Sequence, residues 1–234
     1  MSKPTAAFIG TPARILGLVL LALALALAGC GNLLASRSPA AVTYVLRPAF
    51  VVANDAEPNT PRAAQGSAVV VQLATVGVSP GYAGADILVT RPDRRLDVFA
   101  ASRWPDELPR VVGDLALAAL KTSGRLQAFD ATMPIAATHT LRLDVRRFDA
   151  EYAVEGARPT IHVVIDAVLA RRRDREVIAR FSSAAEVEAT ENRLAVIVAA
   201  FEKAVGEALL ATTRQTEIAL ESIPARHQDA TPAP

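Results

Sequence analysis

Apolar residues open this chain in one block and then settle into short alternating or helical patterns. Residues 15–28 are hydrophobic except for Gly17, and they follow a segment whose only charges are Lys3 and Arg14. Beyond them, Thr43-Tyr44-Val45-Leu46 predicts a short strand closed by Pro48. Residues 53–66 hold Asn54, Pro58, Asn59, Pro61 and Gly66 and read as a long exposed loop. Residues 68–76 form a run rich in β-branched residues without clean alternation, which predicts a strand buried on both faces. A turn at Ser79-Pro80-Gly81 follows. Residues 87–90 and 96–100 then predict a strand pair around Pro92-Asp93-Arg94.

The second half is more regular. Leu108, Val111, Val112, Leu115 and Ala119 share one helical face, with Gly124 as the stop. Residues 126–129 form a short strand. Leu141, Leu143 and Val145 alternate with Arg142, Asp144 and Arg146, the period of a half-buried strand. Ile161, Val163, Ile165, Ala167 and Leu169 alternate likewise. The turn at residues 171–175 leads to Val177, Ala179 and Phe181 on a return strand, a β-hairpin. A long helix from Arg193 to Leu220 places Leu194, Ile197, Val198, Phe201, Val205, Ala208 and Leu209 on one broad face, with Val196 and Leu210 on the far side. Strands and helices interleave without strict βαβ rhythm, so the predicted fold class is α/β: a mixed sheet covered by helices in layers, with a long C-terminal helix.

The first apolar block changes the picture of where the protein works. A positive start, a short hydrophobic run and small residues form an export signal. The run has 14 residues between Arg14 and Gly29, short of the roughly 20 that cross a membrane as a helix. It ends in Leu27-Ala28-Gly29-Cys30, which resembles the lipobox of bacterial lipoproteins. In those proteins the cysteine receives a diacylglycerol, becomes the first residue and gains a further acyl chain of the palmitate type. Cys30 is the chain's only cysteine, so it is the candidate lipid-attachment residue. Two or more acyl chains hold a protein stably at a membrane. Gly31 follows, where an aspartate would commonly signal inner-membrane retention, so the outer membrane is expected. Removing residues 1–29 leaves 23 basic against 24 acidic residues, a formal charge of −1. That balance in an exported chain argues against a nucleic-acid partner. With the thiol acylated, neither disulfide nor catalytic cysteine remains.

Candidate chemistry is thin. Gly77-Val78-Ser79-Pro80-Gly81 matches the G-x-S-x-G nucleophile elbow, but the elbow uses the backbone N–H after the serine. Pro80 has none, and a strand rather than a helix comes next. His162 and Asp166 share one strand face with Val164 between them, a polar pair more than a metal site. His139 and His227 have no companions at ligand spacing, and no glycine-rich phosphate loop is present. The basic residues at 171–175 read as a solvated hairpin tip, able to meet acidic head groups beside a membrane.

Several blocks, in order, carry a wider likeness. They are Tyr44-Val45-Leu46-Arg47-Pro48, Pro80-Gly81-Tyr82, Asp86-Ile87-Leu88-Val89, and Arg91-Pro92-Asp93-Arg94-Arg95-Leu96. Phe99-Ala100-Ala101-Ser102-Arg103-Trp104, Leu120-Lys121-Thr122-Ser123-Gly124 and His139-Thr140-Leu141-Arg142-Leu143-Asp144-Val145 follow. From Thr43 to Leu220 the chain is similar to the ABC-type transport auxiliary lipoproteins, the group that includes the lipoprotein of the paraquat-inducible system. The chain thus divides into a signal peptide at 1–29, a lipidated tether at 30–42, one domain at 43–221, which the resemblance covers, and a tail at 222–234 whose Pro/Ala/Asp/Thr composition predicts disorder. The resemblance implies a non-enzymatic part without cofactor or metal. Its partners would be an MCE-domain protein with an ABC permease and ATPase, together moving lipids between inner and outer membranes from an anchor on the periplasmic face of the outer membrane. Phospholipid binding and a homo-oligomer are compatible with it. Tyr82, Arg103 and Trp104 are the candidate partner-binding residues, with core packing the competing role for Trp104. An outer-membrane assembly lipoprotein serving a β-barrel partner is the alternative. Because Pro80 removes the oxyanion donor, a fluorophosphonate probe should fail to label the protein; labelling lost in Ser79→Ala would restore the hydrolase reading.

Overall fold

One strand organises the sheet. In the computed structural model, which describes residues 40–50, 69–123 and 125–222, the elements are β1 Val42–Thr43, β2 Val69–Leu73, β3 Gly77–Val78, β4 Asp86–Thr90 and β5 Leu96–Arg103. They continue with α1 Leu108–Thr122, β6 Leu126–Asp130, β7 His139–Glu151, β8 Thr160–Arg171, β9 Val177–Glu188 and α2 Leu194–Glu221. On one edge β7 pairs antiparallel with β8 along its whole length, and β9 continues the meander. Its other edge takes three short strands in series, all parallel: β2 at residues 139–141, β3 at 144–145 and β4 at 150–151. Beyond these, β6 lies parallel to β2, β5 antiparallel to β4 and β1 parallel to β5. The result is an open, mixed nine-stranded sheet, and the α/β fold class expected from the pattern is the one found.

One face of this sheet is apolar. Leu141, Leu143 and Val145 of β7 and Ile161, Val163, Ile165 and Leu169 of β8 are fully buried there, as period-two alternation requires. Between Val145 and Arg147 the register to β8 shifts, a β-bulge. The extra residue moves the buried set from odd to even positions, so Phe148 and Ala150 still face the core. Both helices cover this face. α1 buries Leu108, Val111, Val112, Leu115 and Ala119, with Pro109 in its first turn and the Leu108 N–H donating to the Gly84 carbonyl at 3.1 Å. α2 is buried more widely than its seven predicted apolar positions, adding Ala200, Ala204, Gly206, Thr212, Thr213 and Thr216. The three threonines turn their hydroxyls back onto the carbonyls of Ala208, Leu209 and Thr212 at 2.8–3.0 Å, which makes them admissible in the core.

Three rings lock helix to sheet. Trp104, just past β5, meets Phe148 of β7 and Phe201 of α2 edge-on, with centroids 6.0 and 5.4 Å apart. Phe148 and Phe201 stack at 5.2 Å. All three are at most 1 % exposed.

Two expectations change. The strand predicted from Thr43 is only Val42–Thr43, because the chain then leaves the sheet and crosses α2. Tyr44, Leu46, Pro48 and Phe50 turn inward while the intervening residues stay exposed. Arg47 donates its N–H to Glu202 at 2.8 Å. At the crossing a Cβ on Gly206 would lie 3.3 Å from the Pro48 Cβ, so the missing side chain admits the strap. β2 is not buried on both faces: Val71 and Leu73 are buried while Val69, Val70 and Gln72 are partly open. Its neighbours β6 and β7 flank it within the sheet, and helices cover one side only. The leader, Cys30, most of the tether, the loop at 53–66, Gly124 and the tail lie outside the described residues.

Replacing Phe201 by alanine should cost about 3–5 kcal/mol in urea unfolding, since it empties the ring cluster. Val98→Ala, at a site 40 % exposed, should stay within about 0.5 kcal/mol.

Candidate functional site

The face of the sheet away from the helices is polar, and at one place it closes over a charge. The bulge at Arg146 sets Arg147, Asp149 and Glu151 on that face. Asp149 is nonetheless fully buried, because a turn folds over it. Pro80 and Gly81 (φ +94°) form the turn, closed by the Tyr82 N–H donating to the Ser79 carbonyl at 3.1 Å. It delivers the Tyr82 hydroxyl to Asp149 Oδ1 at 3.3 Å. The Thr90 hydroxyl donates to Oδ2 at 2.6 Å, and Arg147 bonds both oxygens at 2.8 and 3.1 Å. Arg147 also reaches Glu151 at 2.5 Å. His162 continues the chain, with Nε2 3.2 Å from Glu151 and Nδ1 3.3 Å from Glu186.

The electrostatics follow from this enclosure. Burial, then the Asp149 carboxylate, push the Tyr82 phenol up to about 12. Burial works against the charge on Arg147, but its bonds to Asp149 and Glu151 prevail and raise its pKa. Each oxygen of the buried carboxylate has its donors, so the arrangement braces the β4–β7–β8 junction; among the described residues no group of acidic or histidine side chains is arranged to hold a metal ion.

A second feature is a cleft of about 370 Å³ between the end of β2, the start of α1 and the residues after β6. Asp106, Glu107, Asp114 and Asp130 line it against one cation, Arg110, which is paired with Asp106 at 3.2 Å. Its charge suits a cation and opposes a phosphate head group.

The residues singled out in the sequence are scattered. Tyr82 is half-buried in the Asp149 brace. Arg103 is exposed at the end of β5, its carbonyl accepting the Tyr44 N–H at 2.8 Å. Trp104 beside it packs in the core, which is the second of its two expected roles. Ser79 donates its N–H to the Val145 carbonyl at 2.8 Å, and the chain proceeds to β4, not to a helix. His162 and Asp166 stand apart: His162 meets the glutamates, while Asp166 faces Arg146 at 3.6 Å. His139 bonds the Thr138 hydroxyl at 2.9 Å; burial, then nearby Arg171, lowers its pKa. The hairpin tip is partly engaged within the molecule. Arg171 holds Asp174 and Glu176 at 3.0 and 2.7 Å, and Arg172 bonds Gln72. Sequence reasoning missed Arg147, Asp149 and Glu151. The signal was the adjacent Arg146-Arg147 pair, which breaks alternation and marks a bulge.

Comparison with known proteins settles the family. The profile described as the ABC-type transport auxiliary lipoprotein component matches residues 50–211. The chain belongs to that family. A crystal structure of a Xanthomonas campestris protein assigned to DUF330 superposes with a TM-score of 0.61 at 20 % identity, covering 78 % of this chain and 95 % of that one. An uncharacterized protein superposes at 0.55 with 14 % identity, covering 78 % and 99 %. Both show the same fold. No curated protein sequence matches.

Removing the guanidinium while its buried carboxylate stays should be costly: Arg147→Met is expected to lose about 3 kcal/mol of stability. Arg142→Met, whose partner Asp144 lies on the open face, should lose less than about 1 kcal/mol. Tyrosine in an unfolded chain titrates near pH 10. Between about pH 10 and 12 the unfolded state therefore releases a proton that folded Tyr82 keeps, and stability falls as pH rises. Tyr82→Phe should flatten that part of the decline in a pH series of unfolding curves. Tyr152, whose pKa burial also raises, contributes to what remains.

Proposed function

We propose that this auxiliary lipoprotein is anchored through acylated Cys30 to the periplasmic face of the outer membrane. There it serves as the non-enzymatic docking component of an MCE-type ABC transporter that moves lipids between the two membranes. The observation that carries the reading is the family match over 50–211 behind a leader ending in Leu27-Ala28-Gly29-Cys30. Gly31 supports release to the outer membrane. Two features of the described residues support docking in preference to carriage: the buried polar groups near Asp149 are bonded to one another, and the cleft between β2 and α1 is acidic, which disfavours a phospholipid head group. In this reading Arg103 offers its exposed guanidinium to the partner and Trp104 stiffens the strand end behind it. Tyr82 fixes the neighbouring turn.

The test is detergent extraction and affinity purification of the tagged protein, with mass spectrometry of the proteins and lipids recovered. An MCE protein with its permease and ATPase is the expected result. A β-barrel partner in their place would replace the transport role with outer-membrane assembly. Stoichiometric bound phospholipid would overturn docking in favour of carriage. Cys30→Ala should leave the protein out of the membrane fraction.

A further inference from the structure

We propose that the β8–β9 turn and the loop before β7 form a lipid-facing tip, through which the domain lies against anionic phospholipid in the membrane that holds its anchor. This rests on the acylated-Cys30 reading and is independent of any transport role. Residues 171–177 read Arg-Arg-Arg-Asp-Arg-Glu-Val, four cations against two anions. Both acids are taken by one cation. Arg171, its side chain 14 % exposed, holds Asp174 and Glu176 at 3.0 and 2.7 Å. The excess charge therefore falls to Arg172, Arg173 and Arg175, all of them exposed. Arg172 donates to the neutral amide of Gln72, which leaves its charge uncancelled. Arg173 lies 3.8 Å from Asp174, the acid that Arg171 already holds, and its side chain is 53 % exposed. Arg175 occupies the left-handed corner of the turn, with φ +60°.

An apolar surface lies beside these charges. Residues 131–138, Ala-Thr-Met-Pro-Ile-Ala-Ala-Thr, carry no charge, and Met133, Pro134 and Ala136 are exposed. Gln72 clips this loop to the turn: its amide N–H donates to the Ala131 carbonyl at 3.2 Å while its oxygen accepts from Arg172. The Arg172 N–H also donates to the Thr138 carbonyl at 2.9 Å. Met133 on the loop and Val177 at the foot of the turn are 50 and 42 % exposed. Apolar side chains among uncancelled arginines suit a membrane interface, where the first enter the head-group region and the second take phosphate oxygens. Charge complementarity and the length of the tether select lipid as the occupant. An anionic bilayer offers phosphate to all three arginines wherever they stand, whereas an acidic protein face must match their spacing. Twelve residues lead from Cys30 to Val42, a tether of at most about 40 Å, so the tip meets that bilayer at high effective concentration.

The test places the full-length lipoprotein in vesicles of phosphatidylethanolamine and phosphatidylglycerol, with phosphatidylcholine vesicles alongside. Cys30 is the chain's only cysteine, so once it is acylated a cysteine introduced elsewhere takes a single fluorophore. Labels go on Met133→Cys, Val177→Cys and, as the control, Val154→Cys. Val154 is 64 % exposed but lies in the β7–β8 turn, at the other end of the 12-residue strand β8, roughly 40 Å from the tip. Nitroxide-bearing lipid should quench the Met133 and Val177 labels several-fold more than the Val154 label when phosphatidylglycerol is present. The difference should vanish in phosphatidylcholine and in high salt. Arg175→Gln should weaken tip contact about fivefold, and glutamine at 172, 173 and 175 together should abolish it without changing urea unfolding. Equal quenching at all three labels, or quenching indifferent to the arginines, overturns the proposal and leaves the basic turn to an acidic protein partner. Flotation with the same vesicles separates this result from a failure of the anchor. An acylated chain floats in high salt. A chain that floats in low salt only, and no longer does so after the triple replacement, supports the tip and refutes the anchor; one that floats in neither refutes both.

Discussion

The bulge at Arg146 is the constraint on which the rest of the molecule depends. β7 is too long for one partner on its inner edge and is served by β2, β3 and β4 in turn. A strand with strict period two would carry its odd residues inward from end to end. That would bury Arg147, Asp149 and Glu151 under α2 and turn Phe148 out to water, a loss of ring packing plus three uncompensated charges. One inserted residue reverses both outcomes. It sits where the partner strand passes from β3 to β4, so the extra residue interrupts the ladder where a partner is already changing.

From that point the two faces acquire distinct work. On the inner face Phe148 receives Trp104 and Phe201, and this contact ties the end of β5 to the long helix. On the outer face the carboxylate of Asp149 collects Tyr82, Thr90 and Arg147 from three separate segments. A buried ion pair of this kind contributes little net stability compared with apolar residues, yet breaking it is costly. Its effect is to fix which loop lies over which strand. The Pro80-Gly81 turn, which imitates a nucleophile elbow in sequence, is held down by this brace and presents a tyrosine.

The strap from Tyr44 to Phe50 ties the N-terminal side of the described domain to this core. Its alternate residues are buried against α2, and Gly206 leaves the space for Pro48. Before the strap, Val42 and Thr43 pair with Ser102 and Arg103 of β5, so this segment joins the sheet edge to α2.

The sequence by itself determined the elements whose periodicity is local: the α1 face from Leu108 to Ala119, the β8–β9 hairpin, the β4–β5 pair around Pro92, and α2 to within a residue at each end. It also carried the lipobox-like string at residues 27–30 and the family blocks, because these are runs of adjacent residues. Tertiary structure decided what depended on distant partners. Tyr44 to Leu46 had strand-like residues but found a helix to cross, and β2, which opens on three valines, had one covered face. Asp149 looks in sequence like one more polar position on an exposed strand. It is buried only because a turn more than sixty residues earlier in the chain folds back across it. Alternation reports which side of a strand faces water on average, but it cannot report a loop arriving from elsewhere.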